Sequence, residues 1–126
     1  MTIVGLGVDA TDIPRIADAI ERFGDRFLRR ILTEHELAYC LSRRDPAPHV
    51  AGRFAAKEAG MKAIGTGHSQ GVLWRDVEVY RTGGPPQLRF HNAAARVFRA
   101  LGADRALITI THSKDLAFAQ VLLVGP

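Results

Sequence analysis

Helical patterns occupy most of the first half of the chain and strand patterns most of the second, and this division constrains the fold more than any other feature. Helical spacing or capping signals mark four early stretches, which begin near Thr11 or Asp12, after Gly24, at Thr33 and near His49. The Asp-Pro-Ala-Pro sequence at 45–48 is predicted to be a loop before the last of these helices. One short strand, residues 3–8, precedes them and is expected to stop at Asp9.

The later part of the chain combines a hairpin, a helix and two further strands. Two runs that alternate apolar and polar residues flank Gly83-Gly84-Pro85 and predict a β-hairpin. A helix is predicted for 92–101, followed by strands over 106–111 and 116–124. Helices and strands segregated in this way are typical of an α+β fold with a mostly antiparallel sheet. The 126 residues are expected to form one domain, residues 1–126, because a chain of this length cannot build a second core.

Positive charge is concentrated in the first half of the chain. The formal net charge is +4. Eight arginines fall within the first 53 residues: Arg15, Arg22, Arg26, Arg29, Arg30, Arg43, Arg44 and Arg53. Such a distribution favours an anionic partner, either a nucleic acid, an acidic protein or a phosphorylated small molecule. The alternative is an arginine-rich surface that faces only solvent.

We expect no targeting or membrane signal in this sequence. The apolar run near the N-terminus is interrupted by Asp9 and follows no basic region, so we expect no signal peptide. No stretch approaches the roughly 20 apolar residues that cross a bilayer. Cys40, the one cysteine, lies among helical apolar residues and is expected to be a buried thiol. These features indicate a cytoplasmic protein.

The predicted helix over 49–64 contains the most informative charged residues. Its apolar residues form two stripes, one of Val50, Phe54, Met61 and Ile64 and one of Ala51, Ala55 and Ala59. The small residues of the second stripe would allow another element to approach closely. Glu58 and Lys62 lie between the stripes, one turn apart, which places them at the edge of a crevice. The alternative is an ordinary surface pair, worth about 0.2–0.5 kcal/mol.

Asp9 and Glu58 together offer two carboxylates from separate elements. Mg²⁺ normally takes one or two carboxylates, several waters and phosphate oxygens, so the pair suits this ion. Lys62 beside such a metal could hold or protonate a phosphate. As alternatives, Asp9 could only cap the following helix, Gly65-Thr66-Gly67 could only end a helix, and His112 could be a turn histidine. No Walker loop, nucleophile elbow or zinc-protease signature is present, and the histidines lack metal-ligand spacing.

Four separated segments carry a resemblance to a known family. They are Gly-Leu-Gly-Val-Asp at 5–9 with Asp-Ile-Pro-Arg-Ile at 12–16; Ile-Leu-Thr at 31–33 with Glu36-Leu37; Gly-Arg-Phe-Ala-Ala-Lys-Glu-Ala at 52–59 with Lys62-Ala63 and Gly65-Thr66-Gly67; and Ile-Thr-His-Ser-Lys-Asp at 110–115 with Ala117 and Ala119-Gln120-Val121. In this order and spacing they resemble the small phosphopantetheinyl transferases of the holo-acyl-carrier-protein synthase type. The resemblance spans almost the whole chain. Gly60 and Pro14 depart from the family pattern.

The resemblance implies a homotrimer whose active sites lie between subunits. It assigns Asp9 and Glu58 to Mg²⁺ and Lys62 to the transferred phosphate. It also implies that the nucleotide end of coenzyme A is surrounded by Arg53, by Gly65, Thr66 and Gly67, and by Thr111, His112 and Ser113. An acidic acyl carrier protein would dock on Arg15, Arg22 and Arg26.

The implied reaction moves the 4′-phosphopantetheine arm of coenzyme A to a carrier serine in fatty-acid or polyketide synthesis and releases 3′,5′-ADP. Either Glu58 or a water would take the serine proton. Two other hypotheses exist, a nucleic-acid binder and a degenerate transferase that serves as an interaction subunit. The first lacks stacking aromatics among its basic residues. Intact Asp9, Glu58 and Lys62 argue against the second.

Overall fold

A computed structural model describes residues 1–126, and it confirms the α+β class. The elements follow one another as β1 (Thr2–Asp12), α1 (Ile13–Phe23), α2 (Asp25–Ile31), α3 (Glu34–Leu41), α4 (Pro46–Ile64), β2 (Val77–Tyr80), β3 (Gln87–Phe90), α5 (Asn92–Ala100), β4 (Arg105–His112) and β5 (Leu116–Gly125). A single 3-10 turn, Trp74–Asp76, precedes β2. No helix is long and apolar enough to cross a membrane.

Two antiparallel sheets pack around the long central helix α4. The larger sheet has the strand order β1-β5-β4, and the smaller consists of the predicted hairpin, β2 and β3. One buried cluster joins the second half of α4 to both sheets and α5. A second cluster joins the first half of α4 to α1, α2 and α3. Because α4 belongs to both clusters, the fold holds it in place along its length. Side chains at its solvent-facing edge therefore have a fixed backbone.

Strand β1 continues past Asp9, where the sequence pattern predicted it to stop. Its pairing with β5 runs from Thr2 opposite Gly125 to Asp12 opposite Leu116. The prediction was wrong because this pairing, formed with a segment far along the chain, holds polar residues in an extended conformation. Asp9 therefore lies within the strand, opposite Ala119. Successive side chains alternate between the faces of a strand, so Asp9 shares the α4-facing side with the buried Gly7 and Thr11.

The start of α4 also differs from the prediction, because the segment 45–48 is not a loop. The helix begins at Pro46, and the side chain of Asp45 accepts a hydrogen bond from the backbone N–H of Ala47. Proline is favoured in the first helical turn because its missing N–H would have no partner there. The Asp-Pro-Ala-Pro sequence is thus a cap followed by a first turn.

The other helix boundaries lie close to the predicted ones. Gly24, with φ 55°, separates α1 from α2, and Gly65, with φ 82°, ends α4. Thr33 and Glu36 form the predicted capping box before α3. Asp12 occupies the N-cap position of α1 but makes no side-chain capping bond, and His91 rather than Asn92 precedes the first turn of α5. Cys40 is buried as expected, and its burial raises the pKa of the thiol to about 11.

Strand β1 passes close to α4 at Ala59, the last residue of the predicted small-residue stripe, and at Ala63. A Cβ atom added at Gly7 would lie 1.9 Å from the carbonyl oxygen of Ala59, and one at Gly5 would lie 2.3 Å from that of Ala63. No side chain fits in this gap, so the two glycines permit the contact that brings Asp9 beside α4. Lack of space also explains the glycine at position 60, because a Cβ there would lie 2.9 Å from the Val77 side chain.

We expect Gly7→Ala to destabilise the protein by about 1–3 kcal/mol or more, the usual cost of overpacking a core. The added methyl group would meet backbone atoms, which cannot rotate away, and would push β1 from α4. Gly84→Ala is the matched control, since a Cβ there has nothing within 4 Å. Urea denaturation of both variants measures the difference. Equal stability of the two would show that the β1–α4 contact can relax without cost.

A buried ion pair ties α4 to α3 and the small sheet. Lys57 and Glu36 are both fully buried, with 2.6 Å between Nζ and Oε1. Lys57 also donates to the carbonyl oxygens of Trp74 and Val77, and the other carboxylate oxygen of Glu36 accepts the N–H of Val79. Burial lowers the pKa of Lys57, while the Glu36 carboxylate opposes that shift. Lys57, the neighbour of Glu58 in the sequence, is thus held by three hydrogen bonds, to Glu36, Trp74 and Val77.

A second carboxylate fastens the start of α3 to the small sheet. Glu78 accepts hydrogen bonds from Thr33 and Arg89 and lies 3.0 Å from Nε2 of His91. Burial favours its neutral form, but these hydrogen bonds prevail and lower the pKa of Glu78 to about 2. A depressed pKa contributes stability above the ordinary carboxyl range, and that contribution is lost as the pH falls towards the folded-state value.

Candidate active site

Asp9 and Glu58 line one cleft between β1, α1 and α4. The cleft has a volume of about 430 Å³, and Arg15 and Phe54 are also among its lining residues. The side chains of Asp9 and Glu58 are 19% and 23% exposed, so both carboxylates are held by the fold yet accessible to a ligand. The structure therefore brings together the two acids that the sequence singled out.

Lys62 reaches across to β1 and contacts Asp9, which lines this cleft. Its Nζ lies 3.0 Å from Oδ1 of Asp9 and 3.1 Å from the carbonyl oxygen of Val8. The hydroxyl of Thr11 lies 3.3 Å from the other Asp9 oxygen. An ammonium group and a hydroxyl thus hold Asp9 in one orientation, and half of the lysine side chain stays exposed to an incoming anion.

Glu58 does not pair with Lys62, although the two lie one turn apart on α4. Its Oε1 instead lies 3.5 Å from Nε2 of His68, a residue in the loop after α4. The His68 ring packs on Trp74, with 4.3 Å between ring centroids, and Trp74 stacks on Phe54 at 4.6 Å. Sequence reasoning missed His68 and Trp74 because both lie in a loop without periodicity.

The cleft supplies some, but not all, of the oxygen ligands that a cation such as Mg²⁺ requires. No group of three or more His, Cys, Asp or Glu side chains is arranged to hold a metal ion. Two carboxylates remain, and Mg²⁺ is commonly bound by one or two carboxylates with waters and substrate phosphates as its other ligands. Asp9 and Glu58 are therefore suitable ligands for Mg²⁺ in the presence of a phosphorylated substrate.

The Gly65–Gly67 turn ends α4 close to Glu58. The carbonyl oxygen of Met61 accepts hydrogen bonds from the N–H groups of both Thr66 and Gly67. Gly65 and Gly67 both have positive φ, at 82° and 54°. The turn is thus a helix stop, as one of the two sequence interpretations held, and it also sets the position of His68.

Arg53 lies on another side of α4, away from the Asp9–Glu58 cleft. It is 6% exposed, its guanidinium stacks over Tyr39 at 4.1 Å, and its Nε is buried without a hydrogen-bond partner. It faces a cavity of about 320 Å³ that Arg81 and Tyr80 also line. A buried guanidinium with an unused donor is a suitable contact for an anion, because charged donors rarely stay unpaired when buried.

The Thr111–Ser113 segment lies at the exposed end of β4. The His112 ring lies 6.5 Å from that of His49, which in turn lies 5.8 Å from Tyr39, the aromatic partner of Arg53. Burial lowers the pKa of His49, and the guanidinium groups of Arg43 and Arg53 lower it further. Within one chain, His112 therefore neighbours the Arg53 region rather than the Asp9–Glu58 cleft.

Arg15, Arg22 and Arg26 are all exposed on α1 and α2. Of the three, only Arg15 lines the cleft of Asp9 and Glu58. Arg22 lies over the ring of Phe23, which is itself 50% exposed. The predicted docking arginines thus extend from the mouth of the cleft along an open surface.

A cavity larger than this cleft, about 810 Å³, lies elsewhere, between β3, α5 and β4. Its lining is mainly apolar and holds one acid, Asp104, with Arg89, Arg99 and Arg105. It contains none of the sequence-predicted site residues. The smaller cleft is the candidate active site because it alone combines the two carboxylates with an accessible ammonium group nearby.

Comparison with known proteins finds one family throughout. The family model described as the 4′-phosphopantetheinyl transferase superfamily matches residues 5–119. The holo-[acyl-carrier-protein] synthase of Koribacter versatilis is 51% identical over 122 residues, which cover 96% of this chain and 98% of that protein. The crystal structure of the synthase from Neisseria meningitidis matches with a TM-score of 0.88 at 31% identity, covering 98% of this chain and 99% of that one. The Bacillus anthracis synthase in complex with CoA (3′,5′-ADP) matches with a TM-score of 0.80 at 36% identity over 100% of both chains.

Proposed function

The chain belongs to the 4′-phosphopantetheinyl transferase superfamily, and from this premise we propose that it acts as a holo-acyl-carrier-protein synthase. It transfers 4′-phosphopantetheine from coenzyme A to a serine of an apo acyl carrier protein of fatty-acid or polyketide synthesis and releases 3′,5′-ADP. One observation carries the proposal, namely a cleft lined by the carboxylates of Asp9 and Glu58, with the ammonium group of Lys62 3.0 Å from Asp9. The relatives that bear this name match the chain over nearly their full length.

The transfer is a displacement at phosphorus. The serine oxygen forms a bond to the phosphorus that bears the pantetheine, and the bond from that phosphorus to the bridging pyrophosphate oxygen breaks. The bridging oxygen leaves with 3′,5′-ADP. The serine proton passes to Glu58 or to water. Lys62, whose ammonium group is half exposed beside Asp9, stabilises the negative charge that spreads over the phosphoryl oxygens.

Asp9 and Glu58 are the residues that would hold Mg²⁺ during this reaction. When bound, Mg²⁺ supplies positive charge that neutralises the pyrophosphate and the charge developing on the leaving group. The fold supports the two carboxylates independently of the ion. Lys62 and Thr11 orient Asp9, and the buried Lys57 fixes the α4 turn that carries Glu58.

Arg53 is proposed to bind a phosphate at the nucleotide end of coenzyme A, with Gly65, Thr66, Gly67, Thr111, His112 and Ser113 surrounding that end. The unused Nε donor of Arg53 supports this assignment. Arg53 and the Asp9–Glu58 cleft lie on different sides of α4. Two chains are therefore proposed to contribute to each site, one through the cleft and its neighbour through the Arg53 region.

The outer face of the large sheet supports such an assembly. Leu6 is 58% exposed, Val8 57%, Phe118 40% and Leu107 42%, and all four lie on the face opposite α4. A contiguous apolar face on an antiparallel sheet is typical of an interface rather than of a free surface. We therefore propose that the chain forms the homotrimer that the resemblance implies.

Replacing Phe118 by Glu is expected to break the trimer into monomers and to abolish transfer, because three buried copies of the new charge cannot be solvated. Leu41→Glu is the control, since Leu41 is 52% exposed at the end of α3 and away from this face. Light scattering gives the molar mass of each variant. A wild-type protein that is monomeric and fully active at the same concentration would contradict this assembly.

The arginines of α1 and α2 are proposed to dock the acidic carrier protein. Arg15→Glu or Arg22→Glu is expected to raise the KM for carrier severalfold with little change in the KM for coenzyme A, because rim charges mainly steer encounter and fix register. Arg99→Glu on α5 is the control. Steady-state kinetics at two salt concentrations measure the effect, since exposed charges are screened over about 8 Å at physiological ionic strength. An unchanged carrier KM in both variants would exclude this surface.

The proposed function is tested by the release of 3′,5′-ADP from coenzyme A. Release is expected only when chain, apo carrier and Mg²⁺ are all present, and EDTA should stop it. Chromatography of the nucleotides follows the reaction. Release without carrier would indicate a coenzyme A hydrolase instead.

A further inference from the structure

His68 connects Glu58 to an aromatic stack formed by Phe54 and Trp74. Glu58 and Phe54 lie one turn apart on α4, and both line the cleft. Phe54 stacks on Trp74 at an interplanar angle of 28°, and the His68 ring packs on the same indole at 4.3 Å. Nε2 of His68 then lies 3.5 Å from Oε1 of Glu58. His68 is thus the link between this aromatic stack and the Glu58 carboxylate.

The backbone fixes His68 before any ligand is present. The two N–H groups bonded to the Met61 carbonyl oxygen hold the turn just before it, and the hydroxyl of Ser69, just after it, donates to the carbonyl oxygen of Thr66. Trp74 is held in turn, because its carbonyl oxygen accepts a hydrogen bond from the buried Lys57. His68 therefore has a rigid turn on one side and a rigid aromatic surface on the other, although its side chain is 48% exposed.

In the contact between His68 and Glu58, the chemistry of the two groups decides which one donates the hydrogen bond. An ionised carboxylate can only accept hydrogen bonds, so a hydrogen bond between these atoms requires that His68 Nε2 carries the proton and donates it. A donor at one carboxylate oxygen restricts rotation of the Glu58 side chain and leaves its other oxygen for a ligand. Partners of this kind orient metal-binding carboxylates, and removing one typically weakens metal affinity about 10–100-fold.

We propose that His68 is a positioning residue for Glu58, holding this carboxylate in the orientation in which it binds the divalent cation. The inference rests on the proposed function, because it takes Glu58 to be a cation ligand. His68 itself touches neither the carrier serine nor the phosphorus in this account. Its contribution is exerted through Glu58 alone.

Direct binding of Mn²⁺, a spectroscopic substitute for Mg²⁺, tests the proposal without any turnover. The free Mn²⁺ signal in electron paramagnetic resonance gives the Kd for the enzyme bound to coenzyme A, in the absence of carrier protein. His68→Phe keeps an aromatic ring on Trp74 and removes only the donor, and we expect it to raise the Kd about tenfold or more. His68→Gln, which supplies an amide donor, should recover most of the affinity. His91→Phe is the matched control, because it removes a histidine–carboxylate contact at Glu78, outside the cleft.

The same measurement in a Glu58→Gln background separates the role of His68 from the role of Glu58 as a cation ligand. Glu58→Gln should weaken Mn²⁺ binding strongly, and adding His68→Phe should then cause no further loss, since both act through one carboxylate. Wild-type affinity in His68→Phe alongside weak binding in Glu58→Gln would overturn the role of His68 and leave the proposed function intact. Unchanged affinity in Glu58→Gln itself would remove Glu58 from the cation site, and the proposal for His68 would fall with it.

Discussion

Asp9→Asn and Glu58→Gln are each expected to lower kcat at least about 10²-fold while leaving a folded protein. The amides keep the shape of the carboxylates but remove the negative charge that binds a cation, and metal charge stabilisation is worth several kcal/mol in such reactions. Initial rates of transfer at saturating coenzyme A and carrier measure the effect. Circular dichroism confirms that the fold is retained.

Asp12→Asn is the control for this pair. Asp12 also lines the cleft, but its side chain makes no capping bond, and none of the contacts that orient Asp9 or Glu58 involves it. We expect the Asp12 variant to retain most of its activity. Full activity in Asp9→Asn or in Glu58→Gln would remove that residue from the cation site.

Glu36→Ala is expected to destabilise the protein by about 3–5 kcal/mol, the usual cost of removing one partner from a buried ion pair. Lys57 would remain fully buried with two carbonyl oxygens but no counter-charge. The N–H groups of Thr33 and Val79 would also lose their acceptor. Urea denaturation at neutral pH measures the loss.

The double variant Glu36→Leu with Lys57→Met distinguishes charge from packing. Replacing a buried ion pair by apolar residues of similar volume is often neutral in stability, so the double variant should recover much of the loss even though its backbone donors stay unpaired. A single Glu36→Ala variant as stable as the wild-type chain would show that Lys57 can lose its proton or reach water at little cost.

Features of the fold and of the candidate site that depend on residues close together in the sequence could be predicted. Glu58 and Lys62 were placed at a crevice because helical spacing alone puts them between two apolar stripes of α4. The capping box at Thr33 and the Gly65 stop depend on residues within a few positions of each other. The small-residue stripe predicted a close approach to α4 but not its partner, because the glycines that complete the contact lie on β1.

Features that depend on distant partners could not be predicted in this way. The length of β1 is set by its pairing with β5. The pairing of Lys62 with Asp9 rather than Glu58 depends on how β1 crosses α4, and no local pattern encodes that crossing. No local pattern marks Lys57 as buried, because its burial requires Glu36 from α3 and the carbonyl oxygens of Trp74 and Val77. The contact of His68 with Glu58 depends on the turn after α4 and on Trp74, which packs against the His68 ring.

The central claim is that this chain attaches phosphopantetheine to a carrier serine. The most direct measurement is the intact mass of an apo acyl carrier protein after incubation with the chain, coenzyme A and Mg²⁺. We predict one added phosphopantetheine per carrier, none on a carrier whose acceptor serine is replaced by alanine, and none with the Asp9→Asn chain. An unmodified carrier under these conditions, with the chain folded and assembled, would contradict the account.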